Sequence, residues 1–287
     1  MRSLTELVDR RGAITHDGRR RDYRLVHAAD PKPGAALVLV LHGTGETGDS
    51  IREFSNRAFE TLAATGAAVV AYPDAVRREW NGARKAVMFW RGAKSVDDVG
   101  FLRALIDELA TSGLIDSRRV FVVGYSLGGQ MTIRLLHDAP GLLAGAALIA
   151  CNQPAPDNLT ASTEPPVPVP LLIFHGTADP VSPYSGGTVS LYGLFPKGGH
   201  LATAETAAYF AARNGIDTAP SFHWLPGGQV CRTEYRAPGR PPVTLYSIFG
   251  GGHHIPGVST TGTWLRGPVA PEPDTVAVFA EYFGLSI

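Results

Sequence analysis

Short, wholly apolar runs alternate along this chain with stretches whose apolar residues recur at helical spacing. Residues 35–41, 67–72, 120–123, 145–150 and 170–174 are the runs. Their length and β-branched content predict strands buried on both faces. Between them, Phe101, Leu102, Leu105, Ile106 and Leu109 give one helical face that stops at Gly113, and Met131, Ile133, Leu135 and Leu136 give another. Ser50-Ile51-Arg52-Glu53 reads as a capping box opening a helix to about Ala64, and Ser95-Val96-Asp97-Asp98 as a second. Residues 203–214 and 274–282 predict two more helices, and 243–249 a last strand. At the N-terminus, 12–27 alternates around Asp17-Gly18, a hairpin with a two-residue turn. The expected fold class is therefore α/β: a doubly wound, mostly parallel sheet with an N-terminal antiparallel hairpin at its edge. Ligands of such sheets bind beyond the C-terminal ends of the strands.

That edge gathers the candidate chemistry. Gly124-Tyr125-Ser126-Leu127-Gly128 joins the 120–123 strand to its helix, and this strand, sharp turn and helix is the context that presents a serine nucleophile. The competing account is a glycine-rich turn with an incidental serine. Asp179 follows the 170–174 strand, 53 residues after Ser126, and His253 follows the last strand, 74 residues after Asp179. The order Ser, Asp, His suits an acyl-transfer triad on this fold, while a turn or capping role before Pro180 is the alternative for Asp179. His253 and His254 are adjacent, but no Cys or carboxylate cluster accompanies them, which argues against metal. The loop from His42 to Gly48 carries glycines that let backbone N–H groups point into a cavity. The long segment 73–94 holds Trp80 and Trp90, open to either packing or substrate contact. His42 and His175 read as structural.

Composition narrows the partners. Lys plus Arg and Asp plus Glu are 26 each in 287 residues, so no basic field for nucleic acid or anionic lipid is expected. Arg19, Arg20, Arg21 and Arg24 read as charges that guard an edge strand. No run approaches the roughly 18 apolar residues of a membrane span, and residues 1–30 lack a signal-peptide core. A cytoplasmic protein is expected, or a secreted one if an export signal has been removed. One domain, 1–287, suits the absence of linkers, and Cys151 and Cys231 read as unpaired thiols.

Together, His42-Gly43, Tyr72-Pro73-Asp74-Ala75, Asp98-Val99-Gly100-Phe101, the Ser126 turn, His175-Gly176-Thr177-Ala178-Asp179 and Gly250-Gly251-Gly252-His253 resemble the polyhydroxybutyrate depolymerase and feruloyl esterase family of α/β-hydrolases. The resemblance runs over nearly the whole chain. It implies a serine carboxylic-ester hydrolase with Ser126 as nucleophile, Asp179 as acid and His253 as base. The Leu127 and Thr44 N–H groups would form the oxyanion hole. Trp80, Trp90, Tyr125 and His254 are the substrate-contact candidates, and no cofactor or metal is implied. The chain departs from the family where Gly-Gly-Gly-His-Xaa-Trp-Pro-Gly becomes Gly250-Gly251-Gly252-His253-His254-Ile255-Pro256-Gly257, losing an aromatic beside the base. Soluble short-chain or phenolic esters are therefore the expected substrates. A polyester depolymerase, a serine peptidase, an acyltransferase and a non-catalytic binding protein on the same fold are the alternatives.

Overall fold

A computed structural model describes residues 6–86, 91–160, 162, 165–189, 198–259 and 264–285. Its first element is the hairpin, β1 (Leu7–His16) and β2 (Arg19–Ala28), paired from His16↔Arg19 to Leu7↔Ala28 and so longer than the alternation alone indicated. Asp17 and Gly18 both take positive φ, 49° and 67°, which matches the turn to the right-handed strand twist. The apolar runs become β3 (Ala36–Leu41), β4 (Ala68–Pro73), β5 (Val120–Tyr125), β6 (Gly145–Ile149) and β7 (Leu171–Gly176), every residue of them buried. Two-residue strands β8 (Gly187–Thr188) and β9 (Gly199–His200) pair with each other, and β10 (Ser221–Trp224), β11 (Val230–Tyr235) and β12 (Val243–Ile248) complete the set. The ten-stranded sheet runs β1-β2-β4-β3-β5-β6-β7-β12-β11-β10. Its centre, β4 to β12, is parallel, and both flanks are antiparallel.

Helices cover both faces. α1 (Gly48–Phe54), α2 (Thr61–Ala64) and α6 (Thr275–Tyr282) enclose a core with Ile51, Phe59, Leu62 and Phe279. α3 (Asp98–Thr111), α4 (Leu127–Asp138) and α5 (Thr203–Arg213) enclose the other, with Phe101, Leu105, Met131 and Phe210. Two helix starts differ from expectation. The capping box is Thr47 with Ser50, so α1 begins earlier, and the chain then reverses through Asn56 and Arg57 at φ 51° and 55°. That break replaces one long helix by two short ones and seats Phe59 and Leu62, both 0% exposed, on the sheet. α3 is capped by Asp97, which accepts from Gly100 N–H at 2.8 Å, while Ser95 closes a preceding 3-10 turn.

The arginines of the hairpin are ion-paired: Arg19 with Asp17, Arg20 with Asp22, and Arg24 with Asp9 and Asp49. Arg21 departs from the edge role. Because β2 is covered by β1 and α3, Arg21 is buried, 2.6 Å from Asp98, with its guanidinium 3.8 Å above the Phe101 ring. Among the described residues no helix is long and apolar enough to cross a membrane. Cys151 is buried, Cys231 half-buried, and both are free.

Candidate active site

Strand β5 delivers Ser126 to the sheet edge in a strained conformation, φ 53° and ψ −113°, directly before α4. The turn is that tight because of the flanking glycines. A Cβ on Gly124 would lie 2.3 Å from Thr132 Oγ1, and one on Gly128 2.1 Å from the Leu41 carbonyl oxygen. Strand β5, helix α4 and the end of β3 therefore pack backbone to backbone, leaving the serine side chain at the surface of the contact.

His253 Nε2 lies 2.9 Å from Ser126 Oγ, and His253 Nδ1 lies 2.7 Å from Asp179 Oδ2. A carboxylate accepts only, so Nδ1 carries the proton and the Nε2 lone pair faces the serine hydroxyl. Asp179 is itself held: its Oδ1 accepts from the N–H groups of Val181 and Ser182, both at 2.8 Å. His175 Nε2 donates to the Ser182 carbonyl at 2.8 Å and lies 3.4 Å from Asp179 Oδ2. Burial pushes the Asp179 pKa up, but the neighbouring His253 and the hydrogen bonds of His175 and His253 overcome it and hold the carboxyl well below its usual range. It is ionised wherever the imidazole can work.

The loop carrying His253 is fixed on both sides. His253 N–H donates to the Arg266 carbonyl at 2.6 Å, and Tyr125 Oη–H donates to the His253 carbonyl at 2.8 Å. Tyr125 is 2% exposed, so this bond, and not substrate contact, is its place. His254 turns away from its neighbour: it is buried, stacks on Phe54 at 6.0 Å, and its Nε2 donates to the Gly267 carbonyl at 2.9 Å. Burial, with the charges of Arg266 and His253, lowers its pKa. The adjacent histidines thus serve different partners and do not converge on a metal. Among the described residues no three His, Cys, Asp or Glu side chains gather as one would require.

Trp80 is also corrected. It is 1% exposed, packs 5.0 Å from the His42 ring and donates its Nε1–H to the His42 carbonyl at 3.1 Å. Its role is to hold the loop after β3, the packing alternative of its two readings, and not to contact substrate. Trp90 lies outside the described residues. His42 holds the same loop, donating from Nδ1 to the Gly43 carbonyl at 2.8 Å and accepting Ala75 N–H on Nε2 at 3.0 Å. Burial lowers its pKa to about 4, with the charge of Arg78 adding to the effect against the Gly43 bond. Glu46 braces the loop further, accepting from Gly43 N–H at 2.8 Å and from Arg266 at 2.7 Å. The Thr44 and Leu127 N–H groups donate to no other group among the described residues. For Leu127 the reason is its position in the first turn of α4, which has no preceding carbonyl to bond.

Beside Ser126 opens a cleft whose wall is more polar than the sequence suggested: Arg84, Gln130, Cys151, Ser182 and His200 line it with Val181 and Val189. Arg84 and Gln130 escaped the sequence reading. Gln130 left one trace, a polar residue four positions after Ser126, between Gly129 and Met131 of α4.

A family model described as Phospholipase/Carboxylesterase matches residues 93–192. "Putative esterase NocK" of Nocardia uniformis subsp. tsuyamanensis is 32% identical over 257 residues, 84% of this chain and 72% of that protein. The poly(3-hydroxyalkanoate) depolymerase C of Paucimonas lemoignei is 26% identical over 266 residues, 86% of this chain but 61% of that longer protein. Among solved structures, the acetyl xylan esterase from Aspergillus awamori superimposes with a TM-score of 0.65, covering 96% of this chain and 100% of that one. At 17% identity that likeness speaks for the fold alone.

Proposed function

Because the chain belongs to the α/β-hydrolase family of esterases and polyhydroxyalkanoate depolymerases, we propose that it hydrolyses small soluble carboxylic esters through an acyl-enzyme on Ser126. The observation that carries this is the continuous line of hydrogen bonds from Ser126 Oγ through His253 to Asp179. His253 Nε2 takes the hydroxyl proton as Ser126 Oγ attacks the ester carbonyl. Asp179 keeps the imidazole in the required tautomer and stabilises the imidazolium that forms. The oxyanion is met by the N–H groups of Thr44 and Leu127. His253 then protonates the leaving alcohol, and water, deprotonated by the same nitrogen, releases the acid.

The cleft wall sets the character of the acyl group. Among the described residues it presents the polar Arg84, Gln130 and Ser182 and no Phe, Tyr or Trp. With Trp80 buried, the case for a phenolic group weakens and the case for a short, polar one strengthens. A series of p-nitrophenyl esters from acetate to palmitate tests this, with Ser126→Ala as control. kcat/KM should peak at two to four carbons, fall steeply beyond about eight as a longer apolar chain meets the polar wall, and vanish in the variant. A Ser126→Ala protein with near-normal turnover of the acetate would refute the mechanism.

A polyester depolymerase is the second reading, and one surface favours it. Phe222, Trp224 and Phe249 are 64, 60 and 49% exposed, and Trp224 packs 5.2 Å from Phe249. Phe249 directly precedes the glycine loop of His253, so this aromatic strip adjoins the sheet edge that carries the base. Rapid clearing of a polyhydroxybutyrate suspension, with poor turnover of soluble esters, would establish it over the first.

A further inference from the structure

Among the described residues that line the cleft, Arg84 is the one charged side chain that the acyl-transfer steps leave without a task. It lines the same wall as Ser126 and His253 yet is only 4% exposed. Other buried arginines are neutralised: Arg21 lies against Asp98, and Arg52 against Glu60 and Asp9. Arg84 has no carboxylate within ion-pair distance among the described residues, and its Nε and Nη2 have no hydrogen-bond partner. Nor does its neighbour Cys151 supply a counter-charge, because burial pushes that thiol up to about 12 and keeps it protonated. Burial likewise draws the guanidinium down to about 10, with Glu79 acting against it, which still leaves it charged at neutral pH.

The backbone shows that this position is built and not accidental. Arg84 bridges Leu159, and Ala83 N–H donates to the Gln130 carbonyl of α4 at 2.9 Å. Lys85 N–H and Thr160 N–H tie the same two segments together at 2.6 Å each, and Lys94 Nζ caps the Arg84 carbonyl. The backbone at Arg84 is therefore held on both sides, and the side chain it carries stays 4% exposed. The unpartnered Nε and Nη2 hydrogens share one edge of its plane, the edge that a carboxylate bridges with two parallel hydrogen bonds. Leaving such a group unpaired in a buried wall is unfavourable, and an arriving anion removes the penalty.

We propose that Arg84 binds a carboxylate of the substrate, so that the preferred substrates are acidic esters. This rests on Ser126 being the nucleophile of the same cleft. The carboxylate can sit on the acyl side, as in a half-ester of a dicarboxylic acid, or on the alcohol side, as in an O-acyl hydroxy acid. A neutral ester leaves Arg84 unpaired in the bound state and pays for it in specificity, as sites with unfulfilled polar groups do.

The test compares kcat/KM for monomethyl glutarate with dimethyl glutarate, and for 3-acetoxypropanoate with its methyl ester, by NMR. The wild type should prefer the acid in at least one pair by about tenfold or more, and the pair that responds identifies the side. Arg84→Met should bring that ratio to within about twofold of unity, with Arg84→Lys between the two. The readout is a ratio, so a general loss of activity in the variants does not affect it. One measurement needs no variant: butanoate should inhibit hydrolysis of a neutral ester with a Ki about tenfold below that of butanamide. Equal rates on acid and neutral esters with equal inhibition by the two would overturn the proposal while leaving the esterase intact. No hydrolysis of any of the four esters, with Ser126 unlabelled by a fluorophosphonate, would overturn both.

Discussion

Replacing Asp179 by Asn exchanges one carboxylate oxygen for an NH2 group, and the surrounding hydrogen bonds decide which one. Oδ1 accepts from the N–H groups of Val181 and Ser182, both at 2.8 Å, so the amide oxygen must remain there. The NH2 then occupies the Oδ2 position, 2.7 Å from His253 Nδ1. Two donors cannot share that contact, and the imidazole responds by moving its proton to Nε2. There it points at Ser126 Oγ, 2.9 Å away, as a donor that can no longer accept the hydroxyl proton. The charge that stabilised the imidazolium is lost as well. A wrong tautomer in an otherwise intact triad costs about 10⁴-fold in kcat, or roughly 5.5 kcal/mol of barrier. KM should change little, since Asp179 lies behind the base. His175 Nε2–H, 3.4 Å from Oδ2, also meets the new NH2, so a lower melting temperature accompanies the loss. Initial rates on p-nitrophenyl acetate, with circular dichroism to confirm folding, read both effects. A folded Asp179→Asn protein within tenfold of wild-type kcat would refute the assignment of tautomer and of acid together.

Two further outcomes follow from the histidines. His253→Ala should lose about 10⁴-fold or more in kcat/KM, whereas His254→Ala, which removes the stack on Phe54 and the bond to Gly267, should lower the melting temperature with much less effect on rate; the reverse pattern in side-by-side assays would exchange their roles. His42 makes stability depend on pH: its folded pKa of about 4 lies below the ordinary 6.5, so the unfolded chain binds the proton first. Its contribution is complete above about pH 6.5 and disappears as pH falls toward about 4, up to roughly 3 kcal/mol. His137, lowered to about 4 chiefly by burial, works in the same direction. Urea unfolding at pH 7 and pH 5 measures the difference, and an unchanged midpoint would count against a neutral, buried His42.

The elements that the sequence reveals are those whose determinants are local. A strand buried on both faces is a continuous apolar run whatever lies beside it, and β3 to β7 all answer to that rule. The Ser126 turn is legible because strand, two glycines and helix are contiguous. Where two local signals competed, the sequence could not choose between them. Thr47 and Ser50 are both competent caps, and what decides is that Ser50 Oγ, from inside the helix, accepts from Thr47 N–H at 2.6 Å. β10 is a four-residue strand whose alternation, Phe222 and Trp224, is too short to predict a strand by itself, and all four of its residues are exposed. The two-glycine turn at Gly227-Gly228 marks the reversal into β11.

The same distinction separates the proposed catalytic residues from the substrate wall. Ser126, Asp179 and His253 each follow a parallel strand, and all strands of such a sheet present their C-terminal ends on one edge, so chain order alone brings three distant residues within hydrogen-bond reach. Nothing comparable governs Arg84. Its location depends on the segment after Gly82 closing against α4 on one side and against 158–160 on the other, pairings invisible to any periodicity. Trp80 fails for a related reason, since an aromatic ring in a strand-end loop satisfies packing and ligand contact equally until the His42 carbonyl is known to take its N–H. The reaction can therefore be inferred from strand topology, while specificity requires the loop-to-loop contacts. A change of substrate within this framework calls for altering residues such as Arg84 and Gln130, with the three strand-end residues left in place.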